Sequence, residues 1–333
     1  MPNRSETGVS LDVVVPVYNE ESALPQLIQS VQHCFGDLAR TEAGLGPVRI
    51  IFVDDGSTDS SSSLIADEIK RGLQATLIRF SRNFGHQNAV SAGMSHSSGR
   101  LVAIIDADLQ DPPEVILRMV DRWRRGADVV FGRRTRRKEG PVRRTGYWLF
   151  YRIVHLLADV SVPLDSGDFC LMSRKVVDAI CALPENQRFP RGLRAWVGFR
   201  QEAIEYDRPA RSAGATKYTF RKLYRLATDG IASLSTRPLR LAQFVSVVFG
   251  LASLVAAGAT AWRIALGAAD TLDTKLLMLA LVVFAATTVQ MAYLYILGAY
   301  VSRTYLEVKG RPSYIVDEIV GVDRQDSATE SSP

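Results

Sequence analysis

Short apolar runs alternate with amphipathic segments over the first half of the chain. The runs are aliphatic, are of strand length and are followed by polar residues; they cover residues 11–17, 48–53, 75–80, 101–105 and 128–132. Between them, apolar residues recur at three- and four-residue spacing, which is typical of helices. Strands that alternate with helices in this way predict an α/β domain with a mostly parallel sheet.

Several local features predict how these elements begin and end. Asn19 is a suitable N-cap for the first helix, because apolar residues follow it at helical spacing. Further helices are predicted at about 83–96 and 113–125. A short strand and a helix near 175–183 follow the acidic turn at Asp168. The segments 188–196 and 211–218 carry cations and glycines, which predicts loops.

Polar clusters follow three of the predicted strands: Tyr18-Asn19-Glu20, Asp54-Asp55-Gly56-Ser57 and Asp106-Ala107-Asp108. In parallel sheets, ligands bind at the carboxyl ends of the strands. One acidic strand end is ordinary, whereas three on one edge predict a site.

The stretch LVAIIDADLQDPPE, residues 101–114, places two carboxylates at the end of a buried strand. Residues i and i+2 of an extended segment point to the same side, so Asp106 and Asp108 can converge on one ligand. Close carboxylates repel unless a cation lies between them or one takes up a proton. This predicts a hard divalent cation, Mg²⁺ or Mn²⁺, together with substrate phosphates. The alternative is a strand end with solvated acids.

The second half of the chain contains two uncharged apolar runs, residues 241–262 and 276–300. Each is long enough to cross a bilayer core of ~30 Å, which predicts two transmembrane helices. Lysines and arginines flank the pair, which places both termini and the first domain in the cytoplasm. The predicted organisation is a catalytic domain (1–218), an amphipathic juxtamembrane helix (219–238), a two-helix hairpin (239–302) and a cytoplasmic tail with a disordered end (303–333).

The charge of the chain favours an anionic partner. The formal net charge is +5, and basic residues are concentrated in the segment 133–144. A nucleic acid, a phosphate-bearing substrate or a membrane surface would each fit this charge. Three cysteines without metal-type spacing indicate reduced thiols in a cytosolic domain.

The ordered motifs VPVYNEE, VDDGSTD, DADLQDPPE, SGDFCLMSR and RSAGATKY, followed by two apolar runs, resemble those of family 2 glycosyltransferases with the GT-A fold. More narrowly, the chain resembles the polyprenyl-phosphate glycosyltransferases, which include the bactoprenol glucosyltransferases and dolichyl-phosphate mannose synthase. The resemblance extends from about residue 11 to about residue 318. It implies a Rossmann-like catalytic domain followed by two transmembrane helices.

This resemblance also implies an activity. A hexose would move with inversion from a nucleotide sugar to undecaprenyl or another polyprenyl phosphate, at the cytoplasmic face of the inner membrane. UDP-glucose is the first expectation for the donor; UDP-galactose, a UDP-amino sugar and GDP-mannose remain alternatives. The implied cofactor is Mg²⁺ or Mn²⁺. The related bacterial enzymes imply a homo-oligomer, specifically a tetramer, and no nucleic acid is expected as a partner.

Roles for individual residues follow from the same resemblance. The nucleoside pocket would be lined by Pro16, Tyr18, Glu20, Asp54 and Asp55. Asp106 and Asp108 match the DxD pair, with Asp108 preferred as the direct metal ligand. Gln110 would orient the sugar or complete the metal shell. The lipid phosphate and the diphosphate would be held by Arg133, Arg191, Arg211 and Lys217.

Asp168 in SGDF matches the acidic position near the reacting sugar, where a base, a stabilising charge and an orienting group all remain possible roles. The chain departs from many inverting relatives because RGLRAW stands where they have QxxRW. A sugar hydroxyl acceptor needs a general base. A phosphate monoester, whose second pKa is ~6, is already mostly ionised at neutral pH and needs no base.

Four other protein classes can be compared with these motifs. A dinucleotide-binding oxidoreductase would need a GxGxxG after the first strand, which is missing. A nucleic-acid binder would need aromatic residues between its basic ones. A processive polysaccharide synthase would need more spans and QxxRW. A non-catalytic membrane-anchored scaffold that binds nucleotide is the alternative from a different class; failure to bind Mn²⁺ with nucleotide would favour it, whereas the intact DADLQD argues against it.

Overall fold

A computed structural model describes residues 8–36, 43–134, 166–186, 188–207 and 272–321, together with residues 244, 247–249, 251, 255 and 262. The chain divides into two compact units. One is drawn from residues 1–148, 161–220 and 312–333, and the other from residues 149–160 and 221–311.

The described part of the first unit contains an eight-stranded sheet and six helices. The strands are β1 (Val9–Val17), β2 (Leu45–Asp54), β3 (Ala75–Phe80), β4 (Leu101–Ile104), β5 (Val129–Arg134), β6 (Ser166–Ser173), β7 (Gln201–Tyr206) and β8 (Val316–Gly321). The helices are α1 (Leu24–Cys34), α2 (Ser61–Lys70), α3 (His86–Ser95), α4 (Glu114–Arg124), α5 (Arg174–Cys181) and α6 (Pro190–Trp196).

The sheet has the strand order β7-β5-β6-β4-β1-β2-β3-β8. The pairs β1–β2, β1–β4, β2–β3 and β5–β7 are parallel, whereas β6 is antiparallel to both β4 and β5, and β8 is antiparallel to β3. The predicted α/β class with a mostly parallel sheet is therefore confirmed.

Helices cover both faces of this sheet, which explains why its central strands are apolar runs and do not alternate. On β1, Val13 and Val15 belong to one buried cluster with residues of α1, α2 and α4. Val14, on the opposite face, belongs to a second cluster with residues of α3, α5 and α6. The two clusters hold the carboxyl ends of the strands in place between them.

The contact between α3 and β1 leaves no room for a side chain at Gly93. A Cβ atom added there would collide with Cγ1 of Val14. We expect Gly93→Ala to lower the free energy of unfolding by about 1–3 kcal/mol, because overpacking forces side chains or backbone to shift. Urea unfolding of the purified protein measures this effect.

The control for this prediction is Val14→Ala, alone and combined with Gly93→Ala. The double variant should be more stable than the sum of the two losses predicts, because the smaller residue makes room for the new methyl group. Strict additivity, or a Gly93→Ala protein as stable as wild type, would contradict the prediction.

Two local predictions were wrong. The first helix begins at Leu24, after Ala23, and not behind an Asn19 cap. Asn19 lies in the left-handed region (φ 54°), and its side chain accepts a hydrogen bond from the backbone N–H of Thr58 (2.8 Å). The side chain of Asn19 therefore accepts a hydrogen bond from the loop after β2 and does not cap α1. Asparagine side chains commonly bond to loop backbone in this way.

The segment predicted as a loop at 188–196 contains α6, with Pro190 in its first turn. Proline suits this position, because its φ is already helical and its missing N–H would have no partner there. Leu193 of α6 is buried, so packing stabilises a short helix in spite of Gly192.

The sheet also recruits a segment that was assigned to the C-terminal tail. β8 covers the edge of β3, where Arg79 is paired with Asp317 (Nη2 to Oδ2, 2.6 Å). Just before the strand, the ring of Tyr314 stacks on Phe80 with a centroid separation of 4.9 Å. An exposed strand edge gains stability from such a partner, so part of the predicted tail (303–333) belongs to the first unit.

The described part of the second unit includes a long helix, α7 (Leu272–Val308). No helix among the described residues is both long and apolar enough to cross a membrane. The predicted inner-membrane localisation is therefore wrong, and the two transmembrane helices on which it depended are not supported by the described residues. The segment 219–238 and most of the run 241–262 lie outside the described residues.

Candidate active site

The carboxyl ends of β1, β2 and β4 lie side by side at one edge of the sheet. Val17 pairs with Asp54, and Val14 pairs with Ile104, both in parallel register. Since parallel neighbours end at the same edge, the polar residues after these strands share one rim. The predicted convergence of the three clusters is confirmed.

Asp168 reaches the same rim from the antiparallel strand β6. In the β4–β6 pair, Ile104 lies opposite Cys170. The same register continued by two residues places Asp106 opposite Asp168. Two acids far apart in the sequence are thereby brought together by strand pairing.

The carboxylate of Asp168 is buried, with 4% of its side chain exposed, and is surrounded by donors. Arg191 binds both oxygens, with Nε 2.6 Å from Oδ1 and Nη2 2.8 Å from Oδ2. His86 Nε2 lies 3.1 Å from Oδ2, and Gln87 Nε2 donates to the same oxygen at 3.3 Å. Three side chains therefore hold the Asp168 carboxylate in one orientation.

The neighbours of Asp168 determine whether its carboxyl group is protonated. Burial alone would raise the pKa of Asp168, but the paired Arg191 guanidinium and the contact with His86 hold it well below its usual range. Burial likewise opposes a charged imidazole, yet the hydrogen bond to Asp168 and the charge of Asp106 raise the pKa of His86. An acid held ionised in this way is a weak proton acceptor.

Asp106 presents one buried and one accessible side of its carboxylate. The side chain is 30% exposed, whereas Oδ1 is buried and has no hydrogen-bond partner in the described part of the chain. Burial raises the pKa of Asp106 to about 6; nearby His86 lowers it, and the neighbouring acids Asp111, Asp168 and Asp108 raise it. A buried carboxylate oxygen without a donor fits a site that a cation completes.

Asp108 lies beside it on the loop after β4, where its Oδ1 accepts the backbone N–H of Gln110 at 3.1 Å. The described residues contain no group of three or more His, Cys, Asp or Glu side chains that could hold a metal ion. Two carboxylates nevertheless fit Mg²⁺ or Mn²⁺ when substrate phosphates and waters supply the remaining ligands. Asp106 and Asp108 are the residues that would hold such a cation.

The predicted nucleoside side of the rim is built on two buried aspartates. Asp54 accepts the backbone N–H of Ser57 (3.0 Å) and the hydroxyl of Ser62. Asp55 accepts the backbone N–H groups of Phe84 (2.7 Å) and Gly85 (2.9 Å), and burial raises its pKa. Both carboxylates hold loops in place.

The other predicted pocket residues lie along β1 and just after it. Pro16 is buried within the strand, and Tyr18 follows the strand with 46% of its surface exposed. The backbone N–H of Glu20 donates to Ser61 Oγ at 3.0 Å. Tyr18 therefore presents an accessible ring at the rim. Pro16 is instead part of the buried strand, and the backbone of Glu20 is hydrogen-bonded to Ser61.

Comparison with known proteins identifies the family. Residues 12–181, which include the rim from Pro16 to Asp168, match the family described as Glycosyl transferase family 2. The chain is a family 2 glycosyltransferase.

Relatives of this glycosyltransferase match it over nearly its whole length. It is 36% identical to the uncharacterized glycosyltransferase YkcC of Bacillus subtilis (strain 168), over 95% of this chain and 96% of the relative. It is 37% identical to the bactoprenol glucosyl transferase of Shigella phage SfII, over 92% of this chain and 97% of the relative. The prophage bactoprenol glucosyl transferase homolog of Escherichia coli (strain K12) is also 37% identical, over 93% and 99%.

The cations predicted to bind phosphate in this glycosyltransferase are not all at the rim. Arg191 binds Asp168, as described above. Arg133 is exposed and paired with Glu205, whose Oε1 lies 2.8 Å from its Nη2. Arg211, Lys217 and most of the basic segment 133–144 lie outside the described residues, so their roles stay predictions.

Sequence reasoning missed His86 and Gln87, although a usable signal was present. They follow β3 in the segment SRNFGHQ, so a polar cluster stands at the end of a fourth parallel strand. The rule that identified the ends of β1, β2 and β4 would have identified this one. The small residues that follow His86 and Gln87 predict a helix there, and this stronger pattern masks the polar strand end.

Tyr206, at the end of β7, was also missed. Its hydroxyl donates to the carboxylate of Asp111, and its ring meets Phe169 edge-on at 5.3 Å. Asp111 follows the DxD pair in sequence and Phe169 follows Asp168. Tyr206, at the end of β7, therefore contacts both acidic segments.

Proposed function

We propose that this glycosyltransferase transfers glucose from UDP-glucose to a polyprenyl phosphate such as undecaprenyl phosphate, with inversion and with the help of a divalent cation. The observation that carries the proposal is the environment of Asp168, which is buried and bound through both carboxylate oxygens by Arg191. The full-length similarity to proteins named bactoprenol glucosyl transferase supports the choice of glucose and of the lipid.

The weak basicity of Asp168 restricts the kind of acceptor that the site can use. A weak base cannot activate a sugar hydroxyl, which is almost wholly protonated at neutral pH. A phosphate monoester, with a second pKa of ~6, needs no such activation. It needs positioning and charge neutralisation, which arginine forks provide. An acceptor that arrives ionised is therefore the one that this site suits.

In this proposal Asp168 stabilises the positive charge that develops on the sugar ring as the glycosidic bond breaks. It stays ionised because Arg191 and His86 donate to it, and a fixed charge aimed at the transition state needs no reorganisation. Tyr18 and the loops held by Asp54 and Asp55 would receive the nucleoside. Gln110, next to the acidic pair, would orient the donor sugar.

Asp106 and Asp108 would hold the cation together with the diphosphate of the donor. When bound, a divalent cation supplies Lewis-acid neutralisation of the leaving diphosphate. The exposed side of Asp106 keeps a carboxylate oxygen accessible for this purpose, and the partly exposed Asp108 lies beside it.

The direct test is a donor and acceptor panel. Purified full-length protein is incubated with undecaprenyl phosphate, Mg²⁺ or Mn²⁺, and UDP-glucose, UDP-galactose, a UDP-amino sugar or GDP-mannose. The mass of the extracted lipid should increase by one hexose with UDP-glucose. A larger yield with another donor would replace glucose but keep the reaction. Nucleotide binding with no lipid product from any donor would favour the non-catalytic scaffold.

Removal of divalent cations should abolish transfer. After treatment with EDTA and dialysis, we expect no product with UDP-glucose and undecaprenyl phosphate, and recovery on addition of Mn²⁺ or Mg²⁺, because two carboxylates and a diphosphate repel one another without a cation. Product formation is measured by mass spectrometry of the lipid. Undiminished activity after EDTA would contradict the metal dependence.

A further inference from the structure

The imidazole of His86 lies between the two acids that the strands β4 and β6 bring together. Its Nε2 is 3.1 Å from Oδ2 of Asp168 and 3.8 Å from Oδ1 of Asp106. That oxygen of Asp106 is the buried one that has no hydrogen-bond partner within the described ranges. Two carboxylates this close repel each other, and an N–H group placed between them offsets the repulsion and limits their movement.

The ring takes its position from the start of a helix. His86 is the first residue of α3, and Gly85 before it has a φ of 100°, which favours glycine. The Asp55 carboxylate accepts the backbone N–H groups of Phe84 and Gly85. The helix behind His86 is closely packed, since Gly93 touches Val14 of β1. A side chain at the first residue of a closely packed helix is held more precisely than one on an exposed loop.

The same contacts connect two parts of the rim. Asp55 belongs to the loop proposed to receive the nucleoside, and it anchors the two backbone groups that precede His86. The side chain of His86 then reaches the acids proposed to hold the cation and to face the sugar. His86 thus links the nucleoside side and the reaction side of the site.

We propose that His86 is a positioning residue that fixes the orientation of Asp106 relative to Asp168, and thereby the geometry in which Asp106 takes up a divalent cation with the donor diphosphate. This inference rests on the proposed function. His86 acts through the two carboxylates and forms no bond to the reacting atoms. Its loss should therefore affect cation binding and turnover more than recognition of the nucleoside.

The test compares cation binding and kinetics in His86→Ala and wild type. Mn²⁺ is titrated into full-length protein with saturating UDP, and free Mn²⁺ is followed by electron paramagnetic resonance. We expect His86→Ala to bind Mn²⁺ about 10–100-fold more weakly, the usual consequence of losing an outer-shell partner. kcat should fall by a similar factor, and KM for UDP-glucose at saturating Mn²⁺ should change by less than about threefold.

Two control variants separate positioning from general damage. His86→Gln keeps an amide N–H close to the position of Nε2 and should recover at least about tenfold of the lost Mn²⁺ affinity. His33→Ala removes an exposed histidine from α1 and should leave binding and kinetics unchanged. Circular dichroism and the thermal unfolding midpoint show that each variant is folded.

Wild-type Mn²⁺ affinity in a folded His86→Ala protein would overturn the role of His86 and leave the proposed function standing. A His86→Gln protein as weak as His86→Ala would also overturn it, because the role assigned to the N–H donor would then be wrong. If wild type itself bound no Mn²⁺ with UDP and formed no glycolipid, the proposed function and this inference would fall together.

Discussion

Replacing Asp108 by asparagine should lower the rate of glucose transfer by about a thousandfold while leaving the fold intact, because a lost metal ligand costs several kcal/mol of transition-state stabilisation. The fold should survive because Asp108 is partly exposed and Oδ1 of asparagine can still accept the backbone N–H of Gln110. The assay measures hexose added to undecaprenyl phosphate at saturating UDP-glucose and Mn²⁺.

The matched control is Asp178→Asn, which removes an exposed carboxylate on α5 whose Oδ1 lies 2.8 Å from Nε of Arg174. This variant should transfer glucose at the wild-type rate. Undiminished, metal-dependent activity of Asp108→Asn with the same substrates would show that Asp108 is not the ligand.

Replacing Asp168 by asparagine should affect stability as well as activity. Arg191 would lose its bidentate partner, and breaking a buried ion pair costs 3–5 kcal/mol; because 30% of the Arg191 side chain is exposed, we expect about 2 kcal/mol. Transfer should fall by about a thousandfold, because the fixed negative charge near the sugar is gone. Urea unfolding and the lipid assay measure the two effects separately.

The pH dependence of this loss has a definite sign. The pKa of Asp168 is lowered in the folded protein from the model-compound value of 3.8. Its charge therefore stabilises the fold fully above that value, and the contribution disappears as the pH falls through the lower, folded-state pKa. The stability difference between wild type and Asp168→Asn should persist from neutral pH to about pH 4 and narrow only in stronger acid.

A double variant separates the two roles of Asp168. Asp168→Asn leaves the Arg191 guanidinium unpaired, and the second change in Asp168→Asn/Arg191→Met removes that charge. Much of the lost free energy of unfolding should therefore return. Activity should stay low, because the charge near the sugar is still missing. Recovery of transfer together with stability would mean that Asp168 serves only to balance Arg191.

The ion pair between Arg191 and Asp168 also changes the role in phosphate binding that was predicted for Arg191. Both oxygens of Asp168 are bound to its guanidinium, so Arg191 can contribute to a phosphate only with nitrogen atoms that face away from this pair. Sequence reasoning could place the arginine near the site but could not show the pair. The segment between β6 and α6 folds back through α5, and no local pattern encodes that return.

Local sequence patterns were sufficient for the strands that carry the site. The run 75–80 coincides with β3, and the runs before Tyr18, Asp54 and Asp106 coincide closely with β1, β2 and β4. Apolar periodicity and punctuation by glycine and proline are local properties, and they determine secondary structure where burial is strong. Once the strands were known to be parallel, the common edge of their acidic ends followed.

The sequence by itself therefore determined the α/β class, the family and the acidic rim. Only the tertiary structure decided that Asp168 lies opposite Asp106, that His86 stands between them, and that β8 closes the edge of β3. These features depend on pairing between segments distant in the chain. The periodicity of one segment carries no information about its register with another, so the contacts at the centre of the site appear only when the strands are assembled.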